Sequence, residues 1–240
     1  GMVYDEFNSK QHEILTGVVT RIDPRTNAVS LRIGTGTEST EALLLAGEQV
    51  PGEELVEGQH VKVYVVDVRR STRGPQILIS RTHPGLVKRL FELEVPEIYD
   101  GTVEVKSIAR EAGSRTKMAV WSADENVDPI GACVGPKGQR VANIVEELRG
   151  EKIDIIKWSE DPAQFIAAAL APSDVVSVLM AEEGKACRVI VPDDHRHQAG
   201  KLSRRGRSRS RMSPLYFILC GLAAALALLS LWLNGKNRKQ

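Results

Sequence analysis

The stretch Gly135-Pro136-Lys137-Gly138 constrains this chain more than any other feature. The apolar run Ile130-Gly131-Ala132-Cys133-Val134 stops just before it, and an amphipathic helix pattern resumes at once in Gln139-Arg140-Val141-Ala142-Asn143-Ile144-Val145. Two short helices joined by such a loop can clamp a nucleic-acid backbone. Glycine lets the main chain approach phosphates where a Cβ would collide. The helix that follows presents unpaired N–H groups and its positive dipole end to the same phosphates. Lys137 and Arg140 add full charges, and Pro136 and Gln139 complete the candidate contact set. G-x-x-G alone fits any glycine-rich turn before a helix, so the surroundings decide.

Those surroundings have a fixed order. Pro84 to Leu93 begins with proline at a helix start and carries an apolar stripe. Strands are expected over Thr102 to Ile108 and Thr116 to Trp121, then the helix–loop–helix closed by Gly150, then a strand from Lys152 to Trp158. The order α-β-β-α-α-β over 84–158 is that of a bacterial-type KH domain. Ile130, Val134 and Val141 would line the apolar groove on which bases lie, and Arg110, Arg115 and Lys117 near the strand hairpin are further candidate contacts. Cys133 lies on the apolar helix face and reads as a core thiol. Trp121 and Trp158 end strands, as core or rim residues, with base stacking as the alternative.

Residues 13–82 read as a small β-barrel. Ile14 to Ile22, Ala28 to Ile33, Thr40 to Leu45, Val61 to Val68 and Gln76 to Ser80 are five short β-branched or alternating runs, the first two joined by the turn Asp23-Pro24-Arg25-Thr26-Asn27. Five such strands in about 70 residues suit an OB-type fold or a generic barrel with no ligand. Exposed aromatics for base stacking are lacking, so the candidate RNA contacts here are charges: Arg69, Arg70, Arg73 and Arg81.

Composition narrows the classes. The net charge of +1 hides an acidic stretch from Glu38 to Glu57 and a basic one over 201–211. Three scattered cysteines without a CxxC argue against a disulfide scaffold. No G-x-S-x-G, P-loop or HExxH pattern supports catalysis. Asp193-Asp194-His195-Arg196-His197 has metal-ligand residue types packed too densely to surround one ion. No enzyme activity, metal or cofactor is expected.

Three long stretches carry a resemblance: Ile79 to Gly101, Ile108 to Lys117, and Val127 to Gly138. In these the chain resembles the NusA family of bacterial transcription factors, from about residue 3 to Asp194. The resemblance implies an OB-type RNA-binding barrel, then tandem KH domains that bind single-stranded nascent RNA during pausing, termination and antitermination in the cytoplasm. The sequence opens at Gly1-Met2-Val3-Tyr4, about where the family's N-terminal polymerase-binding domain hands over to the barrel. Contacts with RNA polymerase and other Nus factors are therefore expected to be weakened.

A second KH domain begins over 161–194 and does not finish. Asp161 caps a helix over Pro162 to Leu170, and Val175 to Met180 with Ala186 to Val191 form a hairpin expected to lack a partner for one face. After Asp194 no second G-x-x-G follows. Instead a basic Arg/Ser linker spans 195–214, then 215–233 gives 19 residues without a charge, about 28 Å as a helix, then a tail over 234–240. Two readings of this end stand side by side: a membrane anchor with the RNA-binding part held cytoplasmic, or a frameshifted or fused segment. The expected architecture is thus α+β and multidomain, after a connector over 1–12. Two other functions stay open: a membrane-tethered RNA-binding or interaction module, and an accessory KH/OB region of an RNA-degrading complex.

Overall fold

The computed structural model describes residues 7–34, 39–71, 74–171, 174–180 and 187–190. Arg73, the motif at 193–197 and the apolar segment 215–233 lie outside the described residues. Among the described residues no helix is long and apolar enough to cross a membrane. The chain forms two compact units. The first takes in the barrel with residues 84–99, 110–116 and 133–153; the second takes in residues 100–109, 117–132 and the described residues from Asp154 onward.

Five strands close the expected barrel: β1 (Ile14–Ile22), β2 (Val29–Ile33), β3 (Thr40–Leu44), β4 (His60–Ser71) and β5 (Gly74–Ser80), in the order β1-β2-β3-β5-β4. Within the barrel only β3 and β5 run parallel, with Ala42 opposite Ile77. β4 returns to β1, where Gly17 faces Val61, so no edge is left unpaired. Register shifts between Val19 and Arg21 and between Val65 and Asp67 bend the strands enough to wrap. Leu31, Ile33, Leu44, Val63, Val65, Ile77 and Ile79 fill the interior. The β1–β2 turn is fixed by the Asp23 carboxylate, which accepts from the Arg25 N–H at 2.8 Å. The barrel's aromatics, Phe7 and Tyr64, are buried.

Helix α1 (Pro84–Glu94) buries Leu86, Val87, Leu90 and Phe91 and packs on β1 and β4. A short helix α2 (Pro96–Tyr99) follows, which the hydrophobic pattern does not reveal. Val95 sits before Pro96, a position biased out of helical geometry, so the chain breaks and starts again. His83 caps α1: its Nδ1 accepts from the Gly85 N–H at 2.9 Å, and its ring stacks on Tyr64 with centres 4.5 Å apart. Burial is the main reason its pKa lies below the ordinary value; His12 and Arg110 push the same way and Glu48 opposes them. Protonation would remove the acceptor. The folded state therefore binds fewer protons than the unfolded one, and the His83 contribution to stability is present above about pH 6.5 and lost as the pH falls below it. Thermal melts at pH 7.5 and 5.5 are expected to differ less in His83→Asn, which keeps a cap acceptor and does not titrate. An unchanged difference would assign the pH dependence elsewhere.

Arg81 corrects an expectation. It is not a surface charge available to RNA but a buried one, 1% exposed. Its guanidinium holds Glu53 through Nε at 2.7 Å and Nη2 at 2.5 Å, and donates to the carbonyls of Lys62 at 2.6 Å and Glu147 at 3.2 Å. A buried guanidinium persists only when charge and donors are met, and here they are met from within the fold. Glu147 ends helix α4 (Gln139–Glu147), and it also receives Lys62 Nζ at 2.9 Å.

Strands β6 (Val103–Glu111), β7 (Arg115–Ser122) and β8 (Lys152–Lys157) form a sheet in that order. β6 and β7 run longer than the sequence pattern implies and leave only residues 112–114 between them. In the second unit, α5 (Pro162–Ala169), β9 (Ser177–Met180) and β10 (Cys187–Ile190) follow. Asp161 accepts from the Ala163 N–H at 3.0 Å, the cap expected from Asp-Pro. Phe165, Ile166, Ala169 and Leu170 bury against Cys187, Val189, Ala119 and Ile156. Val176 and Leu179 are 68% and 54% exposed, so apolar surface remains open beside that core. Lys117 is a second correction. It is buried, and its Nζ donates to the carbonyls of Ala169 and Ala171 at 2.6 and 2.7 Å, satisfying the open end of α5 rather than a phosphate.

Candidate nucleic-acid interface

The loop between α3 (Pro129–Val134) and α4 holds a backbone that few residues adopt. Gly135 has φ 74° and ψ 175°, a region open essentially to glycine alone. Lys137 (φ 53°) and Gly138 (φ 75°, ψ 12°) are left-handed. A Cβ on Gly135 would lie 2.5 Å from Cγ of Arg140, whereas nothing comes within 4 Å of one on Gly138. The two glycines therefore serve different ends: the first accommodates the Arg140 stem, and the second leaves space open.

Helix starts differ as well. α1, α3 and α5 begin on side-chain acceptors, His83, Asp128 and Asp161; Asp128 takes the N–H groups of Ile130 and Gly131 at 3.1 and 3.0 Å. α4 begins on Gly138, which offers none. The Gly138 N–H goes to the Gly135 carbonyl at 3.1 Å and the Gln139 N–H to that of Pro136, so only backbone closes this start and no side chain covers it. Lys137 is exposed beside them and has no carboxylate partner among the described residues. A lysine charge thus meets the positive end of a helix that carries no side-chain acceptor, a combination suited to a phosphate.

Arg140 serves that place less directly than its sequence position implies. It is half-buried, and its Nη1 donates to Glu97 Oε2 of α2 at 2.9 Å. Asn143, one turn on, donates to Glu94 at 3.2 Å and receives Gln139 Nε2 at 2.8 Å. This ladder ties α4 to α1 and α2. Glu97 is the residue that sequence reasoning misses, since nothing local marks it as the partner of Arg140. Asp128 is missed as well, although Asp128-Pro129 repeats the Asp161-Pro162 cap pattern and could have marked it.

Val134 and Val141 are half-buried in the first unit, with Cys133 and Ile144 fully buried there; Ile130 is half-buried in the second. Arg110 is a third correction. Its side chain is fully buried against Glu151, with Nη2 at 2.9 Å, and Nη1 reaches the His83 carbonyl at 3.1 Å. Burial alone would raise the Glu151 pKa, but hydrogen bonds from Arg110, Thr116 and the Gly113 N–H together hold it below the ordinary value. Arg115 is exposed at the start of β7. On the barrel, Arg69 and Arg70 are exposed on β4, and Arg69 Nε donates to Asp67 at 2.8 Å.

Comparison with known proteins agrees with this geometry. Residues 81–158 match the NusA-like first KH domain. The transcription termination/antitermination protein NusA of Bacillus subtilis is 56% identical over 193 residues, covering 80% of this chain and 50% of the relative. Its namesake in Thermus thermophilus is 49% identical over 192 residues, with 80% and 48% covered. That of Mycobacterium tuberculosis is 49% identical over 215 residues, with 88% and 62% covered. The chain spans about half the length of the first curated relatives it matches.

Proposed function

We propose that this chain, whose residues 81–158 match the NusA-like first KH domain, is the RNA-binding part of a NusA-type transcription elongation factor. It holds single-stranded nascent RNA during pausing, termination and antitermination, in the cytoplasm, with RNA polymerase and other Nus factors as its protein partners. The observation that carries this reading is the loop at 135–138: an exposed lysine beside a helix start without a side-chain cap. Gly135, Pro136, Lys137, Gly138 and Gln139 form the backbone clamp, with Arg140 braced beneath it. Val134 and Val141 supply apolar surface for bases, and Ile130 is a separate candidate base contact of the second unit. Arg115, Arg69 and Arg70 are outlying phosphate contacts.

Titration of a labelled single strand, with its duplex as control, tests the proposal; the single strand binds and the duplex competes poorly. Lys137→Ala is expected to reduce the slope of log K against log salt by about 0.7, the value for one single-strand phosphate contact. An unchanged slope would remove Lys137 from the clamp. The RNA is expected to emerge intact after incubation with phosphate, and shortened products would favour an RNA-degrading assembly instead.

A further inference from the structure

We infer that Lys106, Trp121 and Trp158 form a second contact for single-stranded RNA, a base-stacking patch on the β6-β7-β8 sheet; this deepens the RNA-binding reading above and rests on it. All three residues belong to the second unit. Lys106 lies on β6, Trp121 on β7, and Trp158 just past β8, where its N–H donates to the Val120 carbonyl at 2.8 Å. Three neighbouring strands thus bring one ammonium and two indoles together. Lys106 Nζ lies 4.6 Å from the ring centre of Trp121 and 5.3 Å from that of Trp158.

Tryptophans at strand ends usually fill a core. Here both rings are half-buried, and the neighbour they share is a charge rather than an apolar side chain. Trp158 also packs against the cluster around Phe165, which holds its ring in place. Indole faces stack on any base, and a lysine among them supplies charge for the adjoining phosphate. Glu104 now pairs with Lys106 and is the group a phosphate would displace. That competition gives the patch a signature which a packing role lacks.

The test titrates the full chain with fluorescent oligouridylates of 4 and 12 nucleotides. Four nucleotides suit the G-x-x-G clamp alone; twelve leave nucleotides over for a second contact. Trp121→Ala is expected to weaken the 12-mer about fivefold or more, from the loss of one stacked base, and to leave the 4-mer unchanged. Trp121→Phe retains most of the affinity, and Glu104→Gln binds the 12-mer more tightly than the parent does. Equal 12-mer affinity in parent and Trp121→Ala overturns the patch, as does an equal loss on both lengths or a Glu104→Gln variant no tighter than the parent. Gly138→Asp, measured alongside, separates the two readings. If it alone has no effect, the loop reading fails and the patch stands; if only Trp121→Ala has none, the patch fails and the loop stands.

Discussion

Gly138→Asp is expected to lower single-stranded RNA affinity by about 100-fold while the melting temperature stays close to that of the parent. The fold tolerates the change because nothing lies within 4 Å of the new Cβ, and aspartate is among the residues that adopt left-handed backbone most readily. A carboxylate there lies at the positive end of the helix and beside Lys137, in the place proposed for a phosphate. It also repels the phosphate itself, and like charges placed together cost several kcal/mol; about 3 kcal/mol corresponds to roughly 100-fold. Gly135→Ala should fail differently. Its methyl group collides with the Arg140 stem in a backbone region closed to alanine, at a stability cost of about 1–3 kcal/mol. Filter binding and thermal melts on both variants separate the outcomes. Unchanged affinity in a folded Gly138→Asp protein would refute the clamp.

Arg81→Met is expected to be the most damaging single change to stability, at about 3–5 kcal/mol, because it strands a buried carboxylate. The Glu53 side chain is 3% exposed, and without Arg81 it is left with the longer contact to Arg149 Nε at 3.8 Å. The paired substitution Arg81→Met with Glu53→Leu should recover much of the loss, since two apolar groups leave no charge to satisfy. Urea unfolding monitored by circular dichroism measures both. A single variant with the parent's midpoint would show that the pair contributes nothing.

The barrel was legible because each strand declares itself locally, through β-branched runs and the Asp23-Pro24 turn. The loop at 135–138 was legible for the same reason, since two glycines interrupt a helical period over a dozen residues. The charges were not. Arg81, Arg110 and Lys117 read as surface cations because their partners lie 28, 41 and 52 residues away. A lysine or arginine is solvated far more often than buried, and only the folded chain shows which carboxylates and carbonyls surround it. Arg140 falls between these cases. Its place beside the loop was visible in the sequence, but its pairing with Glu97, 43 residues away, was not.

The bond from Arg81 to the end of α4 bears on modularity. The helix that opens at the 135–138 loop finishes inside a charge cluster shared with the barrel wall, through Lys62 and Arg81. A cut at residue 83, where the fold changes from strands to helices, would leave Glu147 on one fragment and both of its cations on the other. The smallest portable piece of this protein is therefore barrel and clamp together. Exchange of either between distant relatives would succeed only where Glu53, Lys62, Arg81 and Glu147 travel as a set.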